Sequence, residues 1–319
     1  MTHTFKPIDL ANIKTVSLSK RKSKVTVDDF AKPLKKGSDI KNFLDNLPDI
    51  LAGKNIRSVI SAIANASLND KIVLFGMGAH VIKVGLNPIV IDLMERGIIS
   101  AVAMNGAGII HDLEVALDGK TSEEVFGMTR ETCDFIGKAI TAADKNSKGL
   151  GESVGQIILE NDLKFKDKSI LAAGNRLGIP ITIHIAIGTD IIHMHPDFDP
   201  KSAGLASHRD FRTFASIVSA LEGGVYLNVG SAVLLPEVFL KAITLVRNLG
   251  HDLKRFTTVN MDFIQHYRPL TNVVNRPTQK GGQGFNLVGH HEIMLPIIAA
   301  GVIEEIDLRV DFHNTYGYL

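Results

Sequence analysis

The spacing of apolar positions changes several times along the chain, and each change marks a predicted element. Within 39–68, Phe43, Leu44 and Leu47 share one helical face, and Ile56, Val59, Ile60 and Ile63 share another. That three-to-four spacing predicts two helices. KIVLF (71–75) is a continuous apolar run of strand length, GMGAH (76–80) a glycine turn, and the residues on to Gly97 a helix. SAVAMNG (100–106) followed by GAGIIHDLEVAL repeats the sequence of strand, glycine loop and helix. Further strands are read in ITIHIAI (181–187), VYLNVG (225–230), RFTTVNM (255–261) and at QGFNLV. Between them run helical patterns. TSEEVFGMTRETCDFIGKAITAA opens with a capping-box spacing, Thr121 to Glu124. ESVGQIILENDL, SHRDFRTFASIVSALEGG, LLPEVFLKAITLVRNLG and the run after GHHEIM complete the set. HYRPLTNVVNRPTQKGGQGF (266–285) is broken by Pro and Gly and reads as a long loop.

Strand–helix alternation of this kind predicts an α/β fold with a mostly parallel sheet in a three-layer arrangement. The count alone leaves a closed barrel as the alternative. Residues 39–319 read as one catalytic-type domain without an internal repeat. Residues 1–38 read as a basic extension, with SKRKSK (19–24) and KPLKKG (32–37).

Composition narrows the function classes. The 319 residues carry a formal net charge of only +1, which argues against a dedicated nucleic-acid binder. There is no Trp and aromatic content is 6%, so stacking platforms for single strands are not expected. Cys133 is the lone cysteine, which excludes an intrachain disulfide and a cysteine metal cluster and suits a reducing compartment. Its helical context reads as structural. No apolar run reaches membrane-spanning length, and a cytoplasmic protein is expected.

The chemistry-bearing residues gather where strands are predicted to end, which is where open α/β sheets bind ligands. GMGAH offers Gly76 and Gly78 for close backbone approach to a phosphate, although it lacks the third glycine of a GxGxxG fingerprint. NGAGIIHDLE (105–114) joins Asn105, Gly106 and Gly108 to His111 and Glu114, three apart on one helix side, a cation or acid–base pair. GTDIIHMHPD (188–197) holds Asp190, His193 and His195. As a strand it would place both histidines on one face. LNVGSAV (227–233) and FTTVNMD (256–262) bring Asn228, Ser231, Thr258, Asn260 and Asp262 to strand ends. GHHEIM (289–294) puts His290, His291 and Glu292 at the mouth of the last helix.

In this order the motifs are familiar. GAHVIKVGLNPIVIDLMERGIISAVAMNGAGIIHDLE, GIPITIHIAIGTDI, LNVGSAVLLPEVFLKAITLVRNLG and NLVGHHEIMLPIIAAGV together resemble the deoxyhypusine synthase family, closest to its bacterial deoxyhypusine-synthase-like branch. The resemblance spans about residues 40 to 305. It implies a Rossmann-like α/β subunit in a homotetramer, with NAD bound at sites on a dimer interface and an amine or polyamine substrate. It carries NAD contact onto Gly78, Ala79, His80, Asn105, Ala107, Gly108, Asp190, Thr258 and Asn260. It puts a substrate acid near Glu114 and a ribose- or amine-facing acid near His193 or His195. By the ordinary titration range of imidazole, His111, His193 or His195 could take a proton from the amine. The family passes an aminobutyl group through a lysine in a tryptophan–glycine–lysine segment to a protein acceptor. Here NVVNRPTQK occupies that region, with Asn275 and Arg276 in place of the motif and Lys280 as the displaced amine. Lys83 is the other amine within the glycine-loop region. The expectation is an NAD-dependent transferase or oxidase of amines. Two alternatives stand beside it: a metal-dependent hydrolase built on the His193/His195 loop, and a catalytically degenerate oligomeric NAD-binding protein.

Overall fold

A computed structural model describes residues 4–121 and 129–316. The apolar runs become six strands: β1 (Val73–Met77), β2 (Ala101–Asn105), β3 (Ile181–His184), β4 (Val225–Val229), β5 (Thr257–Asp262) and β6 (Gln283–Val288). They lie in the order β3-β2-β1-β4-β5-β6, and every neighbouring pair is parallel. The sheet is therefore open, and the barrel alternative falls. The chain winds outward from β1 in one direction through β3, then returns to the middle and winds the other way. Strand order reverses between β1 and β4.

Every residue of β1 and β4 is buried, as a parallel sheet covered on both faces requires. Alternate residues serve two separate cores. Val73, Phe75 and Met77 join a large cluster on one face, and Leu74 joins Tyr226, Phe214 and Phe239 on the other. The first face is covered mainly by α2 (Leu51–Leu68), α4 (Asn87–Glu95), α5 (Gly106–Asp118) and α12 (His291–Tyr316), the second by α9 (Pro200–Ser219) and α10 (Leu234–Asn248). The short α1 (Ile40–Asp45) packs on α12, and α6 (Arg130–Lys145), α7 (Leu150–Glu160) and α8 (Ile170–Leu177) flank the β3 side. Residues 4–28 are exposed throughout and form only one-turn 3-10 segments.

Several helix starts follow from single polar residues. Asp39, Asn105, Ser169 and Asp199 each accept a backbone N–H of the first turn of α1, α5, α8 and α9. Two aspartates do this from a distance. Asp112, fully buried, accepts from Ser169 Oγ, Asn87 Nδ2 and the backbone N–H groups of Ile170 and Leu171. Asp210, on α9, accepts from the backbone N–H of Gly151 at the start of α7 and from Ile183 on β3. Ser207 accepts the next outward N–H, that of Ile185. The open edge of β3 is thus closed by side chains of α9.

Three sequence expectations change here. The helix after GMGAH is two pieces, α3 (His80–Lys83) and α4, because Gly85 takes a left-handed φ of 78° between them. The supposed loop at 266–285 is largely helical: α11 (Tyr267–Pro269), a π-turn over Leu270–Asn275, a 3-10 turn over Pro277–Lys280, and then β6. Its apolar residues Val273 and Val274 are buried against the sheet, which makes the segment a packed element despite its prolines. The Thr121–Glu124 capping box reaches into 122–128, outside the described residues.

Candidate functional site

All six strands run the same way, so their carboxyl ends line one rim of the sheet, and the reversal of order opens a crevice there between β1 and β4. Two glycines let the two turns meet. The Gly78 N–H donates to Val229 O at 2.9 Å, and a Cβ on Gly78 would lie 2.3 Å from the Gly230 carbonyl oxygen. Gly230 itself has φ 68°, and a Cβ there would lie 2.5 Å from His291 Nε2. Any side chain at either position would force these turns apart.

On the β5–β6 side of the crevice stands a histidine cluster. His291 is the first residue of α12 and 0% exposed, yet neither ring nitrogen has a hydrogen-bond partner. His80, at the start of α3, packs edge-on against it at 5.5 Å between ring centroids. Phe263 lies 5.5 Å from His80 and 6.1 Å from His291, and it stacks on His290. Burial pushes the His291 imidazole below its ordinary range, with Asp262 acting in the opposite sense. The ring is therefore held neutral against the bare backbone of Gly230.

On the β2–β3 side the groups are acidic. Asn105 caps α5 through the Gly108 N–H. Asp190 lies over the same helix start: a Cβ on Gly106 would be 2.1 Å from its Oδ2. Asp190 accepts the Ala186 N–H, and burial raises its carboxyl above the usual range. One turn along α5, His111 Nδ1 is 3.8 Å from Glu114 Oε2, and Glu114 accepts from Thr132 Oγ1. The predicted His–Glu pair is thus in place.

His193 and His195 do not share a strand face. Ile191–Met194 is a 3-10 turn. His193 Nδ1 accepts the Gly188 N–H, its ring meets Phe198 edge-on at 4.9 Å, and its buried Nε2 has no hydrogen-bond partner. His195 instead lines a groove of about 530 Å³ between α6 and the 192–199 segment, with Ile136, Ile140 and Phe198. Among the described residues no three His, Cys, Asp or Glu side chains form a group able to hold a metal ion, which leaves the hydrolase alternative without a ligand set.

Three further positions differ from expectation. Lys280 lies just before the amino end of β6, at the opposite rim of the sheet from the crevice. Within one subunit it cannot serve as the nucleophile there. Thr258 and Asn260 are 0% and 1% exposed inside β5, and both amide groups of Asn260 are already bonded, to Asn228 and Asn286. Thr258 Oγ1 has no hydrogen-bond partner among the described residues, whereas the oxygen and nitrogen of Asn260 both do. Conversely, His291, Phe263 and Asp262 converge more closely than their sequence separation suggested. GHHE at the helix mouth signalled His291 and the strand end FTTVNMD signalled Asp262, while nothing in the sequence marked Phe263. Cys133 is buried on α6, and burial raises its thiol, as expected of a structural cysteine.

No family model and no curated protein matches the sequence. Solved structures do match the fold. AgrE, in a ternary complex with ornithine and NAD+, is 15% identical with a TM-score of 0.52, over 79% of this chain and 33% of that one. A conserved LOR/SDH protein from Methanococcus maripaludis is 16% identical with a TM-score of 0.51, over 81% and 71%. A deoxyhypusine synthase so described from Entamoeba histolytica is 12% identical with a TM-score of 0.50, over 86% and 96%. The chain spans about a third of the AgrE length. The shared property is a deoxyhypusine-synthase-like α/β fold around a parallel sheet. Among the described residues no helix is long and apolar enough to cross a membrane.

Proposed function

We propose that this chain binds a nicotinamide dinucleotide across the β1–β4 crevice and uses it to oxidise an amine or polyamine. The observation that carries this reading is the strand reversal at that crevice, where Gly78 and Gly230 leave bare backbone beside a buried, unbonded histidine. Dinucleotides bind at such reversals. The presence of ornithine and NAD+ together in AgrE, whose fold this chain shares, supports the choice of ligands.

The residues divide the work by charge. Asp190 occupies the start of α5, so an anion is unwelcome there and a hydroxyl or a cation is favoured. The diphosphate is left to the Gly78–Ala79–His80 turn, with Asn105, Ala107 and Gly108 flanking it. The cofactor's chemistry in this place is acceptance of a hydride from the carbon beside the substrate nitrogen. Asp190 and Glu114 pair with the substrate ammonium. His111, held beside Glu114, takes the proton that makes the nitrogen lone pair available, with His193 beside Asp190 as its alternate. His195 and Lys280 have no part in this arrangement. Without Lys280 the expected outcome is oxidation followed by hydrolysis of the imine. Transfer would need Lys83, at the end of α3. Assembly into a homotetramer with sites between subunits belongs to the same proposal and is read by light scattering.

The test is a calorimetric titration with NAD+, followed by polyamines and ornithine with NADH absorbance as the signal. Binding with amine-dependent NADH supports oxidation. Binding without turnover selects the degenerate NAD-binding protein, a reading that the remoteness of Lys280 favours. Absence of binding overturns both.

A further inference from the structure

Three strands carry an asparagine at the same level. Asn228 on β4, Asn260 on β5 and Asn286 on β6 are register partners, and Gly76 on β1 continues the row. Their side chains form a hydrogen-bonded ladder. Asn228 Nδ2 donates to Asn260 Oδ1 at 2.8 Å, and Asn260 Nδ2 donates to Asn286 Oδ1 at 2.8 Å. Both lie within the ordinary range for an amide hydrogen bond. Asn228 Nδ2 also donates to the Ser231 carbonyl at 2.9 Å. The ladder therefore runs from the partly exposed edge strand to the turn that forms one lip of the crevice.

The Ser231 carbonyl sets the orientation of the row. It accepts from Asn228 Nδ2, which also donates to Asn260 Oδ1, so Asn260 presents its nitrogen to Asn286 on β6, while Asn228 Oδ1 has no hydrogen-bond partner. A flip of Asn260, 1% exposed, would set nitrogen against nitrogen toward Asn228 and oxygen against oxygen toward Asn286. Ser231 in turn holds α10, because its Oγ accepts the Leu235 N–H at 3.2 Å. Gly230, next to it, donates to Met261 O and presses on His291.

We infer that Asn260 is a positioning residue: bonded on both sides, it fixes the Asn228 amide that pins Ser231 and so sets the Gly230–Val233 lip of the crevice. The effect on ligands rests on the dinucleotide reading above. The effect on the lip does not.

The experiment compares Asn260→Leu, Asn286→Leu and Asn286→Asp with Val259→Ala in the full chain. Val259 is on the same strand and faces the opposite core. Amide hydrogen exchange at Leu235 and Gly230 reports the lip directly, and NAD+ affinity reports its consequence. Asn260→Leu is expected to speed exchange at both amides and to weaken NAD+ by about tenfold, the scale of one lost hydrogen bond. Asn286→Leu, at the milder edge position, moves both readouts the same way and stands in if Asn260→Leu does not fold. Asn286→Asp keeps the acceptor and leaves both unchanged. Val259→Ala lowers stability without touching either. The inference is overturned if the two leucine variants behave like Val259→Ala, losing stability with exchange at Leu235 and Gly230 unaltered. If the unmodified protein does not bind NAD+, the functional reading fails while exchange still decides the role of the ladder.

Discussion

The buried aspartates of one half of the sheet and the most buried histidine of the other are held in opposite ways. On the β2–β3 half, Asp112, Asp190 and Asp210 all spend their oxygens on backbone or side-chain donors, and Asn105 caps a helix. On the β4–β6 half, His291 is equally buried and bonded to nothing on either nitrogen. A buried group with its donors supplied explains itself through the fold. A buried group without them costs stability, and it persists where something other than stability requires it. Asp112 and Asp210 read as architecture, and Asp190 and Glu114 are the acids that the proposed function turns toward a ligand. His291, which the same proposal sets beside the dinucleotide, reads as a residue kept for binding.

That contrast can be broken at four points. The largest effect is expected at Gly230→Ala, where a left-handed φ and the His291 ring both oppose a Cβ. A loss of roughly 2–4 kcal/mol in urea unfolding is expected from backbone strain and overpacking together. Unchanged stability would mean that the turn and His291 are not locked. Next comes Asp112→Ala, which strands four donors in the core. About 2–3 kcal/mol should be lost. A near-neutral result would remove the architectural reading of that half.

The third point is pH. Burial pushes Asp112 up to about 6 and Asp210 up to about 7, both above the value for an unfolded chain. Between the unfolded and folded values the native state holds the extra proton. These two groups therefore favour the fold below pH about 4, and that contribution is lost as pH rises through 6 to 7, at up to about 1.4 kcal/mol per unit for each. Asp210→Asn should flatten the upper part of this slope in unfolding midpoints taken between pH 5 and 8. A slope that survives the substitution would place its origin elsewhere.

The smallest stability change is expected at His291→Leu. The ring makes no hydrogen bond to lose, so the change should stay within about 1 kcal/mol and favour the apolar side chain if anything. Dinucleotide binding should fall all the same. Stability lost in step with binding would make His291 another structural residue.

Much of this was visible in the chain. Runs of strand length located all six strands, and for β1 and β4, buried on both faces, no polar alternation is needed. Glycine turns after KIVLF and AVAMN marked the carboxyl rim of the sheet, and His111 and Glu114 lie on one helix side, 3.8 Å apart, as their spacing predicts. What failed depended on distance. HMH left strand and helix open, and a 3-10 turn after Asp190 separates the surroundings of the two rings. Lys280 follows a familiar segment in sequence, yet the π-turn carries it to the far rim. Asn260 looked like a ligand contact because its strand ends near one. The asparagines recur in LNVG, VNMD and FNLV, but only strand register reveals that the three meet.

The closure of β3 by Asp210 and Ser207 bears on how copies of this chain meet one another. An incoming strand at that side would find the Ile183 and Ile185 amides already taken and a carboxylate in the way. The sheet cannot propagate from molecule to molecule across this border, so runaway fibre growth is blocked there. Any continuous sheet between copies has to begin at β6.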